Sequence, residues 1–202
     1  MKTRLARALG DERAARLYEA FLRDTLSACA ALEGVRRVLC FTPPEAADWF
    51  AALDPHAERL TQPAGDLGAR LAHAFEHAFA TGSTAVAAIG SDTPHLGAPV
   101  WRAALARLAP GRVVLGPTED GGYYFVGLGD PRPGLFEDVD WSTPRVLLQT
   151  RERAKRLGLD VELLALSFDV DEPSDLARLR ELLEANPEAC PATRRDLTAA
   201  EA

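Results

Sequence analysis

The chain has 202 residues, of which 47% are hydrophobic and 26% are charged, a balance typical of a folded globular domain and not of a disordered chain. Its 23 basic and 30 acidic residues give a formal net charge of −7. This acidic balance argues against a general nucleic-acid binder, although a nucleotide ligand needs only a few local donors.

Helical and strand patterns alternate along the sequence. In chain order they predict a helix at 11–31, a strand at 35–41, a short helix at 45–53, a loop at 61–66 and a helix at 67–80. A strand at 84–89, a helix around 101–108, strands at 112–115 and 123–128, a helix at 145–157, a strand at 161–168 and a helix at 173–184 follow.

This alternation predicts an α/β fold with a doubly wound sheet, in which ligands bind outside the carboxyl ends of the strands. The strand at 84–89, TAVAAI, shows no polar alternation after its first residue, which is typical of a strand buried on both faces of a parallel sheet. We expect a single domain over 1–186 and a polar, disordered tail over 187–202.

Three cysteines lie far apart in the sequence and form no metal-binding spacing. They indicate incidental thiols in a reducing compartment. Because no stretch of about 18 apolar residues occurs and the amino terminus lacks an apolar signal region, neither a membrane span nor a secretory signal is expected. The predicted location is cytoplasmic.

The first loop of chemical interest, IGSDTP, follows the strand at 84–89. Gly90 allows another group to approach the backbone closely, and Asp92 supplies a hard oxygen ligand of the kind that Mg²⁺ or Mn²⁺ takes. Alternatively, Asp92 caps a helix that begins near Pro94. The residues alone do not separate these two roles.

The second loop, GPTEDGGYY, lies between the strands at 112–115 and 123–128. Its double glycine could form a nest of backbone N–H groups for an anion, whereas Asp-Gly between strands also predicts an ordinary hairpin turn. The loop can be a hairpin turn and a ligand site at once if the turn presents Asp120 to a ligand. We expect Gly122 to adopt a positive φ.

The third loop, FDVDEP, places acidic residues between a strand and a helix. The acids either contribute to a ligand site or favour the amino terminus of the following helix through its dipole. Elsewhere the sequence contains no serine-hydrolase elbow, dinucleotide fingerprint or P-loop, and His73 and His77 are expected on a helix surface.

Taken together, the segments IGSDTPHL, GPTEDGGYYFVGL, WSTPRVL, FDVDEPSDL and QPAGDLGARLAHAF resemble a family of GT-A-type transferases linked to arsenosugar biosynthesis and radical-SAM gene clusters. The resemblance runs from Lys2 to about Arg180. It implies a three-layer α/β/α sandwich with a mostly parallel, doubly wound sheet, as in nucleotide-diphospho-sugar transferases. More remotely, the chain resembles guanylyltransferases of coenzyme F420 synthesis.

The resemblance also implies roles for individual residues. Asp92, Asp169 and Asp171 match the acids that hold Mg²⁺ or Mn²⁺, and Asp92 and Asp120 take catalytic roles. Asp120 would orient the acceptor hydroxyl or accept its proton. The implied substrate- and nucleotide-binding residues are Lys2, Thr3, Arg4, Asp66, Gly90, Ser91, Gly121, Gly122, Tyr123 and Trp141.

The family places a strand and a Pro/Gly loop before the segment KTRL, which here follows Met1 directly. We therefore expect the first strand of the fold to be missing from this sequence. Without the resemblance, Lys2 and Arg4 equally fit a solvated basic segment.

These features predict a metal-dependent transferase with a nucleotide-activated donor. Glycosyl transfer from a nucleotide-sugar to a small-molecule acceptor is favoured. The alternatives are a nucleotidyltransferase that joins an NTP to a phosphorylated or carboxylated metabolite, and a non-catalytic nucleotide-binding protein. No nucleic-acid partner is expected.

Overall fold

The computed structural model describes residues 3–199, with side chains from residue 4 onward. Its helices are α1 (Thr3–Leu9), α2 (Asp11–Ala30), α3 (Ala47–Leu53), α4 (Leu67–Ala80), α5 (Ala98–Leu105), α6 (Val146–Arg156), α7 (Pro173–Ala185) and α8 (Pro191–Ala199). Its strands are β1 (Val38–Phe41), β2 (Glu58–Thr61), β3 (Val86–Ile89), β4 (Arg112–Pro117), β5 (Tyr123–Leu128) and β6 (Asp160–Leu163), and a short 3-10 helix covers Pro44–Ala46.

The chain forms two compact units. The first unit combines three segments, Met1–Glu33, Gly90–Arg102 and Phe168–Ala202. The second unit contains Gly34–Ile89 and Ala103–Ser167. Within residues 3–199, no helix combines the length and the apolar character needed to cross a membrane.

The second unit holds two sheets. One pairs β1 with β2 in parallel, and the other has the strand order β3-β5-β4-β6. In the four-stranded sheet β5 is antiparallel to both of its neighbours, β3 and β4, while β4 and β6 pair in parallel, so this sheet is mixed. β5 is antiparallel to β4 because only residues 118–122 join the two strands, and a parallel connection would need a long crossover.

The core of the second unit lies on this sheet. Val113 and Leu115 of β4 and Val126 and Leu128 of β5 are buried, and they pack with Phe75 of α4. Residues two apart share one face of a strand, so these positions form a continuous apolar surface against the helix. Each fully buried side chain of this size stabilises the fold by roughly 1.5–3 kcal/mol.

The first unit is helical around its own core. Leu17 and Phe21 share one face of α2 and pack with Leu176 and Leu179 of α7. Spacings of three and four residues bring these side chains to one side of each helix. α7 begins with a capping box, in which the side chains of Glu172 and Asp175 accept hydrogen bonds from each other's backbone.

The carboxyl-terminal segment differs from the prediction of a disordered tail, because residues 191–199 form α8. Asp24 of α2, which is buried, accepts hydrogen bonds from the backbone N–H groups of Ala192 (2.9 Å) and Thr193 (2.8 Å) and from the Thr193 hydroxyl (2.6 Å). Leu197 is buried in the core of the first unit. The cap for this helix comes from a residue 168 positions earlier, which no local pattern reveals.

Two strands also differ from expectation. β2 occupies Glu58–Thr61, where the sequence showed no strand pattern, and it pairs residue by residue with β1. β6 ends at Leu163 and not at 168, after which an isolated parallel bridge joins Thr118 to Ser167. Tertiary pairing partners, and not local propensity, set these boundaries.

Candidate functional site

The turn between β4 and β5 is a hairpin turn built around Asp120. Thr118 and Gly122 bond through their backbones, with Thr118 N–H donating to the Gly122 carbonyl at 3.1 Å. One carboxylate oxygen of Asp120, Oδ1, accepts hydrogen bonds from the Thr118 hydroxyl (2.6 Å) and the Gly122 N–H (3.0 Å). The hairpin reading is therefore correct. The turn leaves Asp120 exposed, and its hydrogen bonds fix the orientation of the Asp120 carboxylate.

The left-handed glycine of this turn is Gly121, with φ of +87°, and the expectation for Gly122 was wrong. A Cβ at Gly121 would lie 2.1 Å from the carbonyl oxygen of Pro144. The Gly121 carbonyl also accepts a hydrogen bond from Leu147 N–H at 2.9 Å. Gly121 is thus the point at which the turn meets the beginning of α6. At Gly122 the same test brings a Cβ within 3.2 Å of the Thr118 and Asp120 side chains.

Tyr123 and Trp141, both predicted to bind substrate, lie together in the second unit. Their rings meet edge to face with centroids 6.3 Å apart. Burial raises the pKa of the Tyr123 hydroxyl well above its ordinary value of 10.0. Trp141 also contacts Gly68, where a Cβ would come within 2.3 Å of the indole nitrogen.

Asp66 and Trp141 line one cavity of about 490 Å³ in the second unit. Asp66 is the N-cap of α4 and accepts a hydrogen bond from Ala69 N–H at 2.9 Å. Its carboxylate remains exposed at the helix start. A volume of this size lies within the range of pockets that take small organic ligands.

In the first unit, the structure joins the two acidic loops that the sequence singled out. The N–H of Val170, which stands between Asp169 and Asp171, donates a 2.8 Å hydrogen bond to the Asp92 carbonyl. Asp92 is not a helix cap, because α5 begins six residues later at Ala98. The cap of α7 is formed by Glu172 and Asp175, and not by the two aspartates before them.

An aromatic stack fixes the same two loops. The imidazole of His95 stacks on the ring of Phe168 with centroids 4.5 Å apart, and the guanidinium of Arg178 lies 3.9 Å from the centre of that ring. Burial, with a smaller effect of the Arg178 charge, lowers the pKa of His95 from 6.5 to about 4. His95 is therefore neutral at pH 7.

Two further side chains bind the loop that contains Asp92. The hydroxyls of Tyr18 in α2 and Ser91 are hydrogen-bonded at 2.9 Å. The Cys190 thiol donates to the Pro94 carbonyl at 2.9 Å. Burial and the nearby Asp24 charge raise the pKa of Cys190 to about 12, so it is a packing residue and not a reactive thiol. The sequence offered no signal for Tyr18 or Cys190.

Four of the predicted site residues remain. Lys2 lies outside the described residues, and Thr3 is the first residue of α1. Arg4 pairs with Glu172 at 3.0 Å on an exposed surface of the first unit. Gly90 has room for a side chain, because the nearest atom to an added Cβ is 4.0 Å away.

The donor chemistry of Asp92, Asp169 and Asp171 suits Mg²⁺ or Mn²⁺, since all three carry carboxylate oxygens. Across residues 3–199, however, no group of three or more His, Cys, Asp or Glu side chains is arranged to hold a metal ion by itself. The three acids therefore fit only a metal ion that takes its remaining ligands from water or from a bound substrate. That is the usual situation of Mg²⁺, which takes one or two carboxylates together with water and phosphate oxygens.

The family model described as "Uncharacterized protein conserved in bacteria (DUF2064)" matches residues 25–143, more than half of the chain. The chain belongs to this family. The match covers Asp92, the turn at 118–122 and Trp141, and it ends before the loop of Asp169 and Asp171. A comparison with curated proteins gives no match.

The DUF2064 chain is also similar to a crystal structure from Desulfovibrio desulfuricans G20, a "putative nucleotide-diphospho-sugar transferase". The two are 31% identical with a TM-score of 0.90, over 98% of this chain and 89% of that one. The structure of 4-diphosphocytidyl-2C-methyl-D-erythritol synthase shares the fold at 14% identity, with a TM-score of 0.57 over 81% of this chain and 88% of that one. These likenesses confirm the predicted α/β fold of nucleotide-diphospho-sugar transferases.

Proposed function

We propose that the protein is a metal-dependent transferase that transfers a glycosyl group from a nucleotide-sugar to a small-molecule acceptor. The observation that carries this proposal is the hydrogen bond from Val170 to the Asp92 carbonyl, which holds two acidic loops side by side within one unit. The likeness to the Desulfovibrio protein supports a nucleotide donor. A link to arsenosugar biosynthesis stays a prediction.

The chain's own residues would act as follows. Asp92, with Asp169 or Asp171, would supply one or two carboxylates to Mg²⁺ or Mn²⁺, and the diphosphate would supply further oxygens. The metal, when bound, neutralises the charge that develops on the leaving diphosphate. Tyr18 and Val170 would hold the Asp92 loop in place through the hydrogen bonds described above.

Asp120 would orient the acceptor hydroxyl or accept its proton. Its Oδ1 is engaged by two hydrogen bonds inside the turn, which fixes the plane of the carboxylate. A group held in this way loses little conformational freedom when substrate binds, which favours a positioned base.

Calorimetric titration of Mn²⁺ in the presence and absence of UDP, GDP, CDP, ADP and dTDP tests the metal and donor site. We expect one of these nucleotides to strengthen Mn²⁺ binding by about 5- to 150-fold, the usual range for coupled ligands. Asp92→Asn should remove most of this coupling, whereas Glu181→Gln, an exposed carboxylate of α7, should leave it unchanged. Equal coupling in both variants, or no coupling with any nucleotide, would refute the proposal.

The reaction products separate glycosyl from nucleotidyl transfer. Glycosyl transfer from a nucleotide-sugar releases a nucleoside diphosphate, whereas nucleotidyl transfer from an NTP releases pyrophosphate. Incubation with a panel of acceptors should release nucleoside diphosphate from a nucleotide-sugar and no pyrophosphate from an NTP. Acceptor-dependent release of pyrophosphate would show that the protein is a nucleotidyltransferase.

A further inference from the structure

The cavity in the second unit has aromatic walls. Phe75 and Phe136 pack with their ring centroids 5.1 Å apart, and Phe136 and Trp141 with centroids 6.5 Å apart. All three side chains line the cavity. Gly68 lies against Trp141 and Phe136 so closely that a Cβ would be 2.7 Å from the Phe136 carbonyl oxygen. This wall of the cavity is therefore tightly packed.

The charged groups around this cavity are mostly acidic. The carboxylates of Asp66, Glu76, Glu137 and Asp138 line it, and Arg132 is the cationic residue among the described lining residues. Arg132 is itself paired with the carboxylate of Asp130.

A second guanidinium stands behind two of the acids. Arg153 pairs with Glu137 at 2.8 Å and with Asp138 at 3.1 Å. With the Arg132 pair included, the cavity surroundings contain two guanidinium groups and five carboxylates. The carboxylates belong to Asp66, Glu76, Asp130, Glu137 and Asp138. The charge around the cavity is therefore negative even after every ion pair is taken into account.

Glu76 is the acid whose charge is least compensated. It lies on the face of α4 that also presents Ala72 and Phe79 to the cavity, at spacings of four and three residues. Among residues 3–199 it has no salt-bridge partner. Asp66, by contrast, is partly compensated by the amino terminus of α4, which it caps.

We propose that this cavity binds an organic cation: an ammonium group attached to an apolar, ring-sized body. The inference goes beyond the proposed function, because it concerns a cavity of the second unit that the transfer chemistry does not use. Aromatic faces attract cations through their quadrupoles, and carboxylates at the rim complete the recognition of an ammonium group. Phosphorylated and carboxylated ligands would meet uncompensated negative charge, which opposes their binding.

Three phenols of similar size and different end groups test this selectivity: tyramine, tyrosol and 4-hydroxyphenylacetate. The readout is the indole N–H resonance of Trp141 in ¹⁵N-labelled protein. Trp49 and Trp101, which do not line the cavity, serve as internal controls. We expect tyramine to shift the Trp141 resonance at the lowest concentration, tyrosol to bind more weakly and 4-hydroxyphenylacetate to bind least.

Charge removal gives the matched comparison. Glu76→Gln should weaken tyramine binding by about two- to fivefold, as expected for the loss of one solvent-exposed charge, and should leave tyrosol unaffected. Glu152→Gln, an exposed carboxylate of α6 outside the cavity, should bind tyramine as the unmodified protein does. Equal or tighter binding of 4-hydroxyphenylacetate, or a Trp141 resonance that none of the three compounds moves, would overturn the proposal.

The nucleotide titrations described above keep the two proposals apart. If the protein binds nucleotide and Mn²⁺ but the cavity prefers the anion, the transferase proposal stands and the cation site is overturned. If tyramine binds at Trp141 but no nucleotide binds, the cation site stands and the transferase proposal is overturned.

Discussion

Replacing Gly121 by alanine tests how strongly the turn after β4 is tied to the start of α6. The added methyl group has two costs. The first is the left-handed backbone, with φ of +87°, which costs an L-residue roughly 1–2 kcal/mol. The second is contact with Pro144, whose carbonyl oxygen would be 2.1 Å from the new Cβ. The two atoms would have to separate by about 1.3 Å to reach the 3.4 Å at which ordinary contact begins.

Gly82→Ala isolates the first of these costs. Gly82 has φ of +95°, and an added Cβ there meets no atom within 4 Å. Both variants share the backbone strain and the reduced entropy of the unfolded chain, so their difference reports the contact alone. Overpacking of this kind typically costs about 1–3 kcal/mol, and we expect the free energy of unfolding of Gly121→Ala to lie below that of Gly82→Ala by that amount.

Urea denaturation followed by far-ultraviolet circular dichroism provides the measurement, with the midpoint compared at constant slope. Gly122→Ala serves as a third variant. Because the backbone of Gly122 is not in the left-handed region, Gly122→Ala should lower the free energy of unfolding by less than either of the other two substitutions. Identical midpoints for Gly121→Ala and Gly82→Ala would show that the contact with Pro144 contributes nothing, and the proposed coupling of turn and helix would be wrong.

Three further predictions follow from the first unit. Because burial lowers the pKa of His95 to about 4 in the folded state, against 6.5 when unfolded, its contribution to stability is complete above pH 6.5 and is lost as the pH falls toward 4. The stability difference between the unmodified protein and His95→Phe should therefore change by roughly 3 kcal/mol across that range. Tyr18→Phe removes the hydrogen bond to Ser91 and should weaken the coupling of Mn²⁺ and nucleotide, whereas Tyr124→Phe, which removes a tyrosine hydrogen bond in the second unit, should lower stability only, by about 0.5–1.5 kcal/mol. Asp24→Ala should abolish the hydrogen-exchange protection of α8, because that helix loses its cap.

Each of these predictions has a clear contrary result. A stability difference that stays constant from pH 7.5 to 4 would show that His95 carries no depressed pKa. Equal metal–nucleotide coupling in Tyr18→Phe and Tyr124→Phe would remove the positioning role of Tyr18. Unchanged amide protection at residues 194–199 in Asp24→Ala would mean that α8 is held by its apolar contacts alone.

The sequence determined the elements whose pattern is local. The helix at 67–80 was predicted to the residue, and that at 11–30 within one residue, because their apolar side chains recur at helical spacing. The strand at 123–128 was also predicted to the residue. The turn at 118–122 follows from the Asp-Gly pair between two strands. All of these depend on residues within a few positions of one another.

Tertiary structure decided what depends on residues far apart in the chain. Asp24 of α2 accepts hydrogen bonds at the start of α8, β2 pairs with β1, and Pro144 lies against the left-handed Gly121. The sequence singled out the loops of Asp92 and of Asp169 and Asp171, but it could not show that Val170 joins them.

The cavity proposed to bind a cation also depends on residues far apart in the chain. Its acids are scattered between positions 66 and 138, and no spacing connects them. Local patterns record only the preferences of the backbone and of one face of an element, whereas a site is formed by side chains that the folded chain brings together. For that reason the sequence indicated which loops could carry chemistry, and only the fold decided which of their groups meet.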